Sequence, residues 1–458
     1  MCSCSSSSVA RWPSLHDAFK IESGEKQVVS MSLRRAILRL SGGKELSALC
    51  DQALVSGANF ATNVILARVL GIREYGIFAL SWMAVLFVFS LQWAFIVLPM
   101  MSVGPKQEEH ERPFYYGAVL FQEIAFAALS VAGMLLVLHF SSSHFPQWNI
   151  QGLGLPLSFA AFSYLLQDFI RRYFFSVGRS KFALLCDAIS YLTQLPIILL
   201  LAHRSNFSSS MALWIIGATS LVSFLVGWIW FEPIKFRAND LRQVSIRHWK
   251  ISRWLAPSAF MQWSSGNLFI VAAPIYYGAA AAAVLRASQN IVGVAHIWFL
   301  GLDNVVPAEA ARRMHSQGLD AAFNYIKQIV FRWGLITLAF VSIVSLRPDF
   351  WLNLVYGPRY AGYGHILQLY ALVYLMTFFA GPLRAGLQAL EYTAPIFWSY
   401  SAMTIFSLAF AGPFTRWLGL TGAMLGMIAT QFLFQCVVGI GLVLKVRQMR
   451  QQLLSPQL

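Results

Sequence analysis

Residues 47–67, SALCDQALVSGANFATNVILA, and residues 76–99, GIFALSWMAVLFVFSLQWAFIVLP, are separated by only RVLGIREY. A helix needs about 20 mostly apolar residues to cross about 30 Å of hydrocarbon at 1.5 Å per residue, and both stretches meet that length. Leu70-Gly71 ending one helix, the short Ile72-Arg73-Glu74-Tyr75 link and Gly76 opening the next form a C-cap glycine followed by a tight reversal. The segment therefore reads as a membrane-spanning helical hairpin.

Working outward, similar segments recur at about 114–139, 153–170, 182–203, 211–231, 254–276, 280–301, 328–346, 364–384, 394–412 and 419–444. Of the 458 residues, 57% are hydrophobic and 12% charged, with a mean hydropathy of +0.60, against about 45–50% and about 25% in soluble domains. The expected fold class is all-α, a polytopic membrane protein of about twelve transmembrane helices. A basic linker at 232–253, with Lys235, Arg237, Arg242, Arg247, Lys250 and Arg253, divides the chain into a first six-helix set at 47–231 and a second at 254–444. Residues 1–46 read as a leader with a basic interfacial helix at 28–40, and 445–458 as a tail. Met31 opens that interfacial helix, so either Met1 or Met31 is the start, and residues 1–30 lack the apolar core of a cleaved signal.

Thirty-four Lys and Arg against nineteen Asp and Glu leave +15, a balance that raises nucleic-acid binding for a soluble chain. Here the arrangement decides. Loops on the side of both termini hold twenty-six basic residues and the opposite loops six, with Arg286 and Arg332 inside helices. That asymmetry places both termini in the cytoplasm and makes the number of spans even, without a nucleic-acid partner. Five cysteines show neither CxxC nor His at metal spacing, so no metal or cofactor is expected.

Polar side chains at membrane depth cost about 2.5 kcal/mol or more unless they face protein or water, which makes them the candidate site. Asp51, Gln52, Ser56, Asn59, Thr62 and Asn63 fall within about 140° of helical arc, one stripe of span one. The stripe is either a cavity wall for sugar hydroxyls or interhelical glue. In span five, Asp187, Ser190, Tyr191 and Gln194 share a face. Desolvation raises the pKa of a buried carboxylate that has no nearby cation, so Asp187, with Asp51, is a candidate for proton or sodium coupling. Arg286, Gln289, Asn290, Gly293 and His296 occupy about 120° of span eight, and Ser258, Gln262 and Ser265 share a face of span seven. A short echo links the two sets: Ser56-Gly57-Ala58-Asn59-Phe60 precedes Gly71 as Ser265-Gly266-Asn267-Leu268-Phe269 precedes Gly278. Such an echo fits a parallel repeat with a site between halves.

Asp51-Gln52, Ser56-Gly57-Ala58-Asn59-Phe60, Ala67 to Leu80 (ARVLGIREYGIFAL) and Pro99 to Lys106 (PMMSVGPK) together resemble the opening of the polysaccharide transporters, the Wzx-type lipid-linked oligosaccharide flippases. The close match covers about residues 50–106. This resemblance implies the fold shared with multidrug and toxic compound extrusion (MATE) transporters: two six-helix lobes around a central cavity, working by alternating access. It also implies a polyprenyl-diphosphate-linked glycan as cargo in polysaccharide biosynthesis, with membrane lipids and the polysaccharide polymerase and export machinery as partners. Arg forks bidentately onto phosphate oxygens. Arg286 is therefore the expected diphosphate clamp, with Gln289, Asn290, Asn59, Gln52, Asn63 and Gln262 lining the cavity. The alternative is a cation-coupled antiporter of small molecules, for which Asp51, Asp187 and Glu123 speak. A membrane glycosyltransferase or polymerase is disfavoured by short external loops and the absence of an acidic pair in the first of them, leaving Glu74 as the lone acid there.

Overall fold

A computed structural model describes residues 44–144, 152–202 and 207–454. The interfacial helix expected at 28–40 lies outside the described residues. Every regular element among the described residues is helical. In chain order they are α1 (44–70), α2 (72–103), α3 (Arg112–His144), α4 (Gly154–Ser176), α5 (Ser180–Ala202), α6 (Ser209–Trp228), α7 (Ala238–Tyr277), α8 (279–317), α9 (Leu319–Leu346), α10 (Pro348–Tyr356), α11 (Gly364–Ala389), α12 (394–418) and α13 (420–454). All but the short α10 are long enough to span a bilayer. Eight stretches are also apolar enough, and two of these, 57 and 58 residues long, each hold two helices broken at Gly71 and Gly419.

The reversals are tighter than the sequence predicts. Between α1 and α2 the chain turns at Gly71 alone (φ 77°, ψ 172°), and Gly278 (φ 72°, ψ 175°) joins α7 to α8 in the same conformation. Only glycine adopts that backbone readily, because a Cβ would clash. These are the two glycines of the sequence echo, so the two halves make their first turn in the same way.

Several expected boundaries move, and three of these shifts bear on the site. Helix α7 starts at Ala238, so most of the basic linker is the first turns of α7 and packs on the first half: Tyr115 Oη lies 3.0 Å from His248 Nε2, and Ser252 Oγ donates to the Phe95 carbonyl at 3.2 Å. Helix α8 continues past residue 301 to Gln317 through a 3-10 turn at Gly293–Ala295. Helix α4 runs to Ser176, which places Arg171 and Arg172 inside the helix rather than in a loop. With those two removed, the basic residues stand at twenty-four against six, and the asymmetry survives.

Helices α1–α6 and α7–α13 pack mainly within their own halves, and the principal seam between them runs where α1 and α2 meet the first part of α8. At the end of the bundle opposite the termini this seam is shut. Gly76 lies so close to Ala279 that a Cβ there would collide with its carbonyl. Arg68 donates through Nε to the Val355 carbonyl at 2.8 Å and through Nη2 to the Leu354 carbonyl, capping the last turn of α10. Toward the termini α1 and the second part of α8 separate, while the first turns of α7 stay packed on α2 and α3. The second part of α8 packs chiefly on α9 and α11 and exposes His296, Asp303 and Asn304, while α1 exposes Gln52, Ser56 and Gly57. Small and polar side chains line this opening, as a water-filled cleft requires.

Gly76→Leu forces α2 away from α8. Spin labels at Arg73→Cys and Phe350→Cys are expected to show a longer distance in the Gly76→Leu background than without it; an unchanged distance means that the close approach does not hold the seam.

Candidate functional site

Two polar assemblies flank the seam, one in each half. In the first half, α4 carries Arg171 into the interior, where it meets carboxylates from three helices. Its guanidinium is 2.5 Å from Asp51 on α1, 2.6 Å from Asp187 on α5 and 3.6 Å from Asp168 one turn back. Arg172 adds a second contact to Asp168 at 3.3 Å and stacks over Trp93 at 4.3 Å. Three carboxyl groups thus share two guanidinium groups, one more acid than base. Asp51 Oδ1 and Asp168 Oδ2 are buried without a hydrogen-bond partner among the described residues. Such burial is stable only because the charges are paired, since an isolated ion in low dielectric is far more costly.

From this cluster a polar path rises through the half. Gln167 donates to Asp187 Oδ1 at 3.2 Å and accepts from Ser190 at 3.1 Å. Next, Gln194 donates to Thr62 at 2.9 Å. Asn59, Thr62 and Asn63 line a narrow cleft with Tyr164, Tyr191 and Trp82. The stripe on α1 therefore divides: Asp51 is bound into the charge cluster, Asn59, Thr62 and Asn63 face the interior of the half, and Gln52 is exposed, donating to Ser56 at 3.2 Å.

At the shut end the path crosses to the second half. The Tyr75 hydroxyl donates to Asn63 Oδ1 at 3.0 Å and accepts from Asn290 Nδ2 at 3.3 Å. One turn before Asn290, Arg286 Nη1 donates to Gln289 Oε1 at 2.8 Å. Buried Tyr75, Tyr356, Tyr370 and Tyr374 surround the Arg286 guanidinium within its electrostatic reach, and the Tyr370 hydroxyl has no hydrogen-bond partner among the described residues. No carboxylate among the described residues pairs with Arg286. A partly buried guanidinium with free donors and tyrosine hydroxyls nearby is suited to an anion, above all one with several oxygens.

The structure thus brings Asn59, Asn63, Arg286, Gln289 and Asn290 to one seam, and gathers Asp51 with Asp187 elsewhere. Gln262 is exposed on α7, and among the described residues no hydrogen bond joins its side chain to the Arg286 group. Glu74 accepts from Ser209 at 2.8 Å, and Glu123 accepts from Gln92 at 2.8 Å, so each has a structural partner. Sequence reasoning missed Arg171 and Tyr75. For Arg171 a signal existed, because Asp168, Arg171 and Arg172 stand at i, i+3 and i+4, the spacing of neighbours on a helix. For Tyr75, a link residue by sequence, no local signal existed.

Among solved structures, an inward-facing multidrug-resistance MATE-family transporter of the MOP superfamily superposes with a TM-score of 0.67 at 14% identity, covering 86% of this chain and 94% of that one. The chain has the MATE fold. An outward-facing MATE-family transporter scores 0.53 at 13% identity over 92% and 97% of the two chains. A MOP-superfamily transporter from Pyrococcus furiosus, described as having a binding pocket of reversed polarity, scores 0.58 at 13% identity over 91% and 95%. No protein-family model matches the sequence, and no curated protein matches it.

Removing Arg171 strands Asp51 and Asp187, while Asp168 keeps Arg172. Arg171→Gln is expected to destabilise the protein by about 3–5 kcal/mol, read as a lowered unfolding midpoint in detergent, and Asp51→Asn with Asp187→Asn is expected to restore part of the loss. A wild-type midpoint in the single variant overturns the role given to the cluster.

Proposed function

We propose that this chain is an alternating-access transporter, a flippase that carries a polyprenyl-diphosphate-linked oligosaccharide from the cytoplasmic to the external leaflet of the inner membrane during polysaccharide biosynthesis. The observation that carries the reading is Arg286: a guanidinium without a carboxylate partner among the described residues, at the seam of the two halves and beside amide and tyrosine hydroxyl groups. A diphosphate offers the oxygens such a group binds bidentately, and the amides and hydroxyls supply donors for phosphate and sugar. The MATE fold supports alternating access, and the shut end with a splayed opposite end is what an inward-facing state requires. The resemblance of residues 50–106 to polysaccharide transporters supports the cargo class.

In this mechanism the cargo head group enters from the terminus side, reaches Arg286, and is released when the seam around Tyr75 and Asn290 parts. The lipid tail stays in the bilayer. Positive-inside charge puts the termini, and so the open side, in the cytoplasm. The Arg171 cluster, with one carboxylate in excess, is the place where a proton or sodium ion is exchanged to drive the cycle, Asp187 and Asp51 being its coupling residues. Polymerase or export machinery receives the product on the far side.

A second reading, a cation-coupled antiporter of small cations, is favoured by the three carboxylates of the first half. Its cargo would bind at those carboxylates, and Arg286 would be dispensable.

In vesicles holding the purified protein and a fluorescent polyprenyl-diphosphate oligosaccharide, wild type is expected to expose the label on the opposite face. Arg286→Ala is expected to slow this at least tenfold while folding and abundance persist; a wild-type rate removes the diphosphate clamp, and ethidium transport in its place establishes the second reading. Asp187→Asn is expected to make translocation insensitive to an imposed proton or sodium gradient, and unchanged gradient dependence discards the coupling role.

A further inference from the structure

On the outer face of the second half, α9, α11 and α13 form an open groove of about 390 Å³, lined by Phe323, Ile326, Val330, Phe379, Leu383 and Leu442, with Lys327 among them. No residue of this groove belongs to the Arg286 cluster. Phe323, Ile326, Lys327 and Val330 stand at i, i+3, i+4 and i+7, so one face of α9 supplies the wall. The lysine is the one charged side chain in this lining. An ammonium on a face turned to hydrocarbon costs about 2.5 kcal/mol or more unless it reaches water or an anion. Lys327 is exposed and has neither an ion pair nor a hydrogen bond among the described residues. Its side chain leaves a helix whose first residue, Leu319, lies at the terminus side, roughly 12 Å away at 1.5 Å per residue. Helical side chains tilt toward the N-terminus, so the ammonium is directed to the headgroup level, where a long apolar stem beneath a charged tip is favourable.

An ion pair, Arg450 Nη2 to Asp320 Oδ1 at 2.9 Å, ties α13 to the start of α9. The groove's inner wall is thin. Pro382 lines both the groove and a separate cavity of about 210 Å³ inside the half, where Arg384 donates to Asp303 Oδ2 at 2.8 Å. An apolar slot of about 390 Å³ with one unpaired cation among its lining residues has the polarity of an anionic phospholipid.

We propose that the groove between α9, α11 and α13 binds one anionic phospholipid of the terminus-side leaflet, with an acyl chain along Ile326, Val330 and Leu383 and the phosphate on Lys327. Chain burial supplies the affinity, since each buried CH2 contributes about 0.8 kcal/mol, and Lys327 supplies the choice of head group. The bound chain rests on Pro382 and so supports the wall of the Asp303–Arg384 cavity. This site is independent of the cargo proposed above.

Native mass spectrometry of the full chain, released from detergent micelles doped with dioleoyl phosphatidylglycerol or dioleoyl phosphatidylcholine, tests it. Wild type is expected to retain one phosphatidylglycerol at several times the occupancy of phosphatidylcholine. Lys327→Gln is expected to remove that preference while keeping chain binding, and Val330→Trp with Leu383→Trp to abolish retention of both. Equal retention of the two lipids by wild type, or an undiminished preference in Lys327→Gln, overturns the proposal. Displacement of phosphatidylglycerol by equimolar undecaprenyl phosphate also overturns it, because the groove would then hold a polyprenyl chain. The Lys327 variant alters one surface side chain, so it decides the matter even where the double tryptophan variant does not fold.

Discussion

Hydrocarbon offers no hydrogen bonds, and the pairing of Arg171 with Asp51, Asp168 and Asp187 is the interaction through which the first half answers that constraint. Carboxylates from α1, α4 and α5 can stay buried only while a guanidinium stands between them, so the position of α4 is held by the charges it carries. Helix α4 is also buried along most of its length, with Leu165, Phe169, Ile170, Tyr173 and Phe174 fully enclosed. Its lower hydropathy and its burial have one cause: it touches protein, not lipid, and can carry the polar groups that lipid-facing helices cannot.

From that knot the polar groups continue toward the seam. Gln167, Ser190, Gln194 and Thr62 occupy the interior of the half, and Asn63, Tyr75 and Asn290 join the halves. The seam is therefore held by two kinds of contact. Gly76 against Ala279 is a close backbone approach that tolerates no Cβ, while Tyr75 with Asn290 is a hydrogen bond that water or a ligand can replace. Contacts of the second kind exchange at little net cost. A seam built this way can part and re-form.

The second half uses charge differently. Arg286 has tyrosines and amides for neighbours where Arg171 has carboxylates, and Arg384 is paired with Asp303 near the open end. One half thus neutralises its interior cations, and the other leaves one facing the seam.

The sequence by itself determined the all-helical class, the number of long helices, the hairpin and the direction of the charge asymmetry, because helix length, hydropathy and glycine geometry are local properties of the chain. It also identified Asn59, Asn63, Arg286, Gln289 and Asn290 as polar residues sharing helix faces. Only the tertiary structure decided what those faces meet. Arg171 and Arg172 have the look of loop residues, since hydropathy prices each charge alone; Arg171 is an interior residue because its partners Asp51 and Asp187 come from α1 and α5, and Arg172 sits beside it on Asp168 and Trp93. Tyr75 belongs to the seam for the same reason, its partners Asn63 and Asn290 lying 12 and 215 residues away. Pairing between distant segments cancels the cost of burial, and no local pattern records which segments will meet.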